Sequence, residues 1–99
     1  MIVLRTNRAH GYRILMDFGK IADTYYPHFI VEQDDPDHST VKFSIDMRII
    51  EGEVPVHITQ ELISWAHDHY KELEENWLCL IDREISSKYN RRNNSLTAA

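Results

Sequence analysis

Histidine, the side chain that most often carries acid–base and metal chemistry near neutral pH, occurs six times in this chain. His67 and His69 resemble a metal pair, but two positions apart on a helix they point about 200° away from each other. A helical zinc pair needs a spacing of four. His10 falls in a turn, His57 precedes the helix, and the single Cys79 supplies no zinc set. The spacing therefore predicts neither a metal site nor a cofactor.

Two other polar residues interrupt an otherwise apolar helix face. No Gly or Pro follows Val56, which predicts one long amphipathic helix at about residues 58–88 with Thr59 as N-cap. At about 100° per residue, His69 and Asn76 fall within about 40° of the centre of its apolar stripe. That stripe consists of Leu62, Ala66, Leu73, Trp77 and Leu80. Either the two polar residues are satisfied structurally, the histidine by a backbone carbonyl, or they line a cleft.

His28 is a further candidate because it stands at the entrance of a strand, directly after Pro27. Side chains alternate along a strand, so Phe29 and Val31 under the helix would place His28 and Ile30 on the opposite face. His28 and His69 would then not meet unless the strand end curls. The opposite register, with His28 facing the helix, stays open.

The segments before the helix predict a small antiparallel sheet of three to four strands. Apolar and polar residues alternate over Tyr12–Phe18 and over 40–47, and 28–32 pairs with the latter as a hairpin. Ile2–Leu4 is a possible further strand, and Arg48–Glu51 a possible continuation of the sheet. The prediction is an α+β fold with one helix packed on one face, a single domain over residues 1–90, and a disordered C-terminal tail at 91–99.

Charge and composition restrict the classes of partner. The net charge is −5, and the acids concentrate in residues 21–82, which disfavours a nucleic-acid partner. A phosphate contact would have to use the basic ends, through Arg13, Arg91 or Arg92. No apolar run approaches the length of a membrane span, which predicts no membrane. The single Cys79 is expected to pack inside and, with no internal disulfide possible, indicates the cytoplasm.

Two stretches resemble the small bacterial proteins grouped as domain of unknown function 4160. PHFIV at 27–31 is similar to the PHFHV-type segment of that family. EGEVP at 51–55 resembles its EGxLP turn, and the residues that follow resemble its WAxxHxxEL and ENW motifs: Trp65, Ala66, His69, Glu72, Leu73, Glu75, Asn76 and Trp77. The resemblance covers roughly residues 12–80.

This resemblance implies a small α+β domain with no established activity, often encoded in gene pairs that resemble toxin–antitoxin modules. The candidate binding or cleft residues that the resemblance implies are His28, His69, Asn76 and Trp77, which match positions of the family motifs. The second histidine of the family's PHFH segment is Ile30 here. That departure argues against any role that needs both histidines.

Three functions follow as hypotheses, and the chain inclines away from being an enzyme. The first is a non-enzymatic module that binds a protein partner or a second copy, with Leu15 and Ile30 as apolar residues opposite the core. The second is a small RNA-acting, nuclease-type toxin that uses His28 or His69 as general acid and base. The third is a DNA-binding antitoxin or regulator that acts through the basic ends, although no DNA-reading motif is visible.

Overall fold

The alternating segments form five strands in one antiparallel sheet, and two helices follow them. The structure is a computed structural model that describes the backbone of residues 1–98 and the side chains of residues 1–87. In chain order, which is also the order across the sheet, the elements are β1 (Ile2–Asn7), β2 (Tyr12–Met16), β3 (His28–Gln33), β4 (Thr40–Ser44), β5 (Ile50–Glu51), α1 (Val56–Asp68) and α2 (Tyr70–Ala98).

The α+β class and the hairpin of β3 with β4 are confirmed, but the number of strands was underestimated. β1 runs three residues beyond the apolar Ile2–Leu4, because backbone pairing with β2 extends the strand through Arg5, Thr6 and Asn7. A bulge between Val3 and Arg5 interrupts this pairing. β5 is only two residues long and pairs with β4. Short edge strands of this kind leave little alternation for a sequence pattern to show.

The prediction of one continuous helix is wrong, because the helix breaks at His69. His69 has φ −113° and ψ 17°, outside helical geometry, and both its backbone N–H and its Nδ1 lie within 3.0 Å of the Trp65 carbonyl. A side chain that takes a helix carbonyl competes with the regular hydrogen-bond ladder. The next turn resumes at once, since the Leu73 N–H bonds to the His69 carbonyl at 2.9 Å.

The helix also begins earlier than predicted. Pro55, with φ −54° and ψ 146°, occupies the N-cap position, and the N–H groups of Ile58 and Thr59 both bond to its carbonyl. Thr59 therefore lies inside α1 rather than at its cap. The extended conformation of Pro55 starts the helix without any side-chain cap.

The main core lies between the sheet and the two helices. Every second residue of the central strands is buried there, and so is the apolar stripe predicted for the helix. The buried strand residues are Tyr12, Ile14, Met16, Phe29, Val31, Val41 and Phe43; those of the helices are Ile58, Leu62, Ala66, Leu73, Trp77 and Leu80. Phe29 stacks on Phe43 at 5.6 Å between centroids and meets Trp65 edge-on at 5.7 Å.

The opposite face of the sheet is covered by the segment between β2 and β3. Lys42 Nζ donates to the Lys20 carbonyl at 2.8 Å, and the Ala22 N–H donates to the Glu51 carboxylate at 3.1 Å. Ile21, which lies between those two attachment points, is completely buried. As a consequence Leu15 is only 4% exposed, and Ile30, its neighbour across the strands, is half-buried. The prediction that Leu15 is available for a partner is therefore wrong.

Gly52 occupies a backbone position that requires glycine. Its φ is +114°, and a Cβ built on it would lie 3.2 Å from Cγ2 of Val41. We expect Gly52→Ala to lower the free energy of unfolding by about 1–3 kcal/mol, because the backbone is strained and Val41 must move. Urea unfolding measures this. Gly19→Ala is the matched control, since a Cβ there meets nothing within 4 Å; equal effects of the two substitutions would contradict the prediction.

The predicted C-terminal tail, residues 91–99, falls outside the residues whose side chains are described, so it stays a prediction.

Candidate functional site

His28 is a buried residue in contact with α2. Its ring centroid lies 5.1 Å from that of Trp77, and its exposure is 1%. Nδ1 stands 2.7 Å from the Tyr26 carbonyl, so this nitrogen carries the proton and donates it. Burial lowers the pKa of His28, and the backbone hydrogen bond that favours the charged form does not offset it. The fold therefore holds the imidazole in its neutral form.

Trp77 links His28 to the segment that crosses the back of the sheet. Phe18 stacks on Trp77 at 5.9 Å, and Tyr25 stacks on Phe18 at 5.1 Å. In the same segment the Tyr26 hydroxyl donates to the Asp46 carboxylate at 2.6 Å. These contacts order the stretch before β3. They also hold His28, the first residue of β3, against Trp77 of α2, while Phe29 and Val31 of the same strand face the main core.

His69 lies at the break between the helices and is half-buried. Its ring stacks on Trp65 at 5.0 Å with 21° between planes, and its Nδ1 is 2.8 Å from the Trp65 carbonyl. It lines an open cleft of about 430 Å³ together with Leu4, Arg5, Trp65 and Glu72. Leu4 and Arg5 both line this cleft because the β1 bulge falls between Val3 and Arg5.

The four residues carried over from the family motifs, His28, His69, Asn76 and Trp77, lie in two places. His28 contacts Trp77, whereas His69 contacts Trp65, and no hydrogen bond or ring contact joins the two histidines within residues 1–87. Asn76 is half-buried next to Trp77 in the chain. Each histidine uses Nδ1 to bond a backbone carbonyl, which is the structural role considered for His69.

A polar cluster at the other end of α1 gave no signal in the sequence. Glu61 accepts from His10 Nδ1 at 2.7 Å through one carboxylate oxygen and from the Tyr12 hydroxyl at 3.0 Å through the other. Asn7 bonds both the His10 N–H and, at 3.4 Å, the Tyr12 hydroxyl. The hydrogen bond from His10 is the main reason that the pKa of Glu61 is lowered. These partners lie about fifty positions apart in the chain, so no local spacing could reveal them.

The cations predicted to hold phosphate are not assembled into a site by the described residues. Arg13 lies on β2 beside Glu32 of β3, and its guanidinium makes two hydrogen bonds to that carboxylate, at 3.0 and 3.2 Å. A paired guanidinium of this kind is already neutralised. Arg91 and Arg92 lie outside the residues with described side chains.

One side of α2, next to its core-facing stripe, is apolar and largely exposed. We call Tyr70, Leu78, Ile81 and Ile85 the outer face; Tyr70, Leu78 and Ile85 are 42%, 56% and 60% exposed, whereas Ile81 is half-buried and packs against the edge of the core. At about 100° per residue, the outer face and the core-facing Leu73, Trp77 and Leu80 together span an arc of about 160°, of which the core contacts from Leu80 to Ile81 cover about 100°. A helix that packs on one side needs an arc of about 100°. The apolar surface of α2 is thus wider than the fold uses.

Cys79, which was expected to pack inside, is exposed. At about 100° per residue it points more than 90° away from the core residues Leu80 and Trp77.

Two searches of the described residues, for a membrane-spanning helix and for a metal-binding cluster, find none. None of its helices is long and apolar enough to cross a membrane. No three histidine, cysteine or carboxylate side chains among the described residues are placed to hold one ion.

The fold and its motif residues define a small α+β protein in which an antiparallel meander of five strands packs under a broken helix. The family model for the domain of unknown function 4160 matches residues 11–78, and the chain belongs to this family. The match includes His28, His69, Asn76 and Trp77. No curated protein and no solved structure matches the chain.

Proposed function

We propose that this protein is a non-enzymatic interaction module that binds another protein chain through the outer face of α2. The observation that carries the proposal is the exposed part of the apolar arc, which extends about 60° beyond the core contacts. Leu78 and Ile85 are more than half exposed and Ile81 lies between them, a spacing of three and four residues that forms one continuous row. Rows of this spacing on a helix are a common docking surface for a second helix or a groove.

The free energy available from covering this row favours association. Burying a leucine or isoleucine side chain is worth about 1.5–3 kcal/mol relative to full exposure. The row also lies where α2 leaves the sheet: Leu80 is the last buried residue of the helix among the described side chains. Helical segments without tertiary packing are marginal in water, so a partner would stabilise this part of α2 as well.

The contacts of the histidines support a binding role over an acid–base role. The His28 imidazole is buried, and its lowered pKa keeps it neutral. His69 uses Nδ1 to hydrogen-bond a backbone carbonyl. Arg13, proposed to hold phosphate, is paired with Glu32. A second short protein encoded as a neighbour, as in toxin–antitoxin-like pairs, is one source of the partner chain.

The test is native mass spectrometry of the tagged chain purified from its own host. The wild-type protein is expected to carry a further protein chain, whether another protein or a second copy, and Leu78→Ser/Ile85→Ser is expected to lose it. Ile63→Ser is the matched control, because Ile63 is an exposed isoleucine on α1, 49% exposed, outside the outer face. A wild-type protein that appears only at the mass of one tagged chain, or a double variant that carries the same further chain as wild type, would contradict the proposal.

A further inference from the structure

We infer that the chain covering the outer face is a second copy of this protein, lying antiparallel along α2. This inference rests on the proposed function and names its partner. It draws on three features of α2: the position of the apolar row along the helix, the way charge is distributed about that row, and the length of the helix.

Charge along α2 reverses sign close to Ile81. The first half, residues 70–82, carries four carboxylates against Lys71: Glu72, Glu74, Glu75 and Asp82. The second half, residues 83–98, carries four bases against Glu84: Arg83, Lys88, Arg91 and Arg92. Two copies laid parallel would place like charges side by side along both halves. Two antiparallel copies place the acidic half of each against the basic half of the other, which favours that orientation.

The apolar row is centred on the point where the charge reverses. Leu78 and Ile85 lie seven residues apart, about 10 Å along the axis, with Ile81 between them. A two-fold axis beside Ile81 sets Leu78 of one copy opposite Ile85 of the other, and Ile81 close to its own counterpart. The two-fold axis that pairs the apolar rows of the two copies therefore also pairs the acidic half of each helix with the basic half of the other.

The shape of the chain leaves room for this pairing. α2 has 29 residues, about 43 Å of helix, and the chain measures 57 × 30 × 24 Å. Among the described side chains, those of α2 that pack against the core end at Ile81. The described residues after it, 82–87, are thus available to lie along the first half of the partner helix.

The experiment is disulfide trapping in the full chain, with the exposed native thiol removed by Cys79→Ala. One variant adds Leu78→Cys and the other Ile85→Cys; both sites are exposed, and circular dichroism verifies that each variant is folded. Under mild oxidation, a mixture of the two is expected to form the 78–85 cross-link about tenfold faster than either variant cross-links to itself. Antiparallel pairing brings 78 and 85 within the 7 Å that a disulfide requires and keeps 85 away from 85.

Self-linking of the Ile85→Cys variant at a rate equal to the mixture would overturn the antiparallel arrangement. A second pair tests the charges: Glu74→Lys/Glu75→Lys and Lys88→Glu/Arg92→Glu should each self-associate less than wild type, and a mixture of the two should recover association. A wild-type chain that sediments as a monomer at every concentration would overturn self-pairing altogether. A monomeric chain would not by itself contradict the proposed function, which is tested by whether another protein co-purifies from the native host. Failure of self-pairing and failure of partner binding are therefore distinguishable.

Discussion

Replacing Trp77 by alanine is expected to lower the free energy of unfolding by about 3–5 kcal/mol, the largest effect that we expect from a single substitution. Trp77 is 2% exposed and contacts both His28 and Phe18. Its loss therefore leaves a cavity and releases the segment before β3 from α2. Since small domains have about 5–15 kcal/mol in total, the variant would lie near the edge of the folded state.

Chemical denaturation followed by far-ultraviolet circular dichroism measures this loss. Ile63→Ala serves as the control because Ile63 is a large apolar residue exposed on α1, so its truncation should change stability by no more than about 0.5 kcal/mol. A Trp77→Ala variant as stable as the Ile63→Ala variant would show that Trp77 does not hold the segment before β3 to the helix.

The second large effect is expected at His28. His28→Ala removes a buried ring and leaves the Tyr26 carbonyl without its donor, which together should cost about 2–4 kcal/mol at pH 7. The same substitution should also change the pH dependence of stability. Because the pKa of His28 is lowered in the fold, the unfolded state binds more protons below pH 6.5, the ordinary value. The contribution of His28 is thus complete above pH 6.5 and is lost as pH falls from 6.5 towards the folded pKa.

Urea unfolding between pH 7 and pH 5 measures the pH dependence that His28 contributes to stability, apart from the contributions of the carboxylates. Asp46 and Glu61 have lowered pKa values, from ordinary values of 3.8 and 4.5, so their stabilising effects are lost only in more acidic solution. Wild type should lose stability over this interval more steeply than His28→Ala, while His67→Ala, whose side chain is 89% exposed, should follow wild type. Equal slopes for wild type and His28→Ala would refute the assignment.

The periodicity of apolar residues in the sequence predicted those strands and helices that bury only one of their faces. The alternation of β2, β3 and β4 and the stripe through Leu62, Leu73 and Leu80 identified the core because each of these elements packs on one side. The family motifs likewise marked residues with structural contacts, such as His28 on Trp77 and His69 on Trp65.

Long-range packing determined what the patterns missed. Leu15 was interpreted as exposed because nothing in the sequence showed that the segment carrying Ile21 returns over the back of the sheet. The break at His69 arises from a side chain that bonds the Trp65 carbonyl, and a helical period continues unchanged across it. The cluster of His10, Glu61 and Tyr12 exists only once β2 and α1 have packed.

The most direct test of the outer face as an interaction surface is sedimentation velocity of the purified wild-type chain over a concentration series, beside Leu78→Ser/Ile85→Ser. The wild-type mass should rise from 11.7 kDa towards twice that value, while the double variant stays at 11.7 kDa with an unchanged circular dichroism spectrum. Identical monomeric sedimentation of both proteins, together with the absence of any chain co-purifying from the native host, would contradict this account.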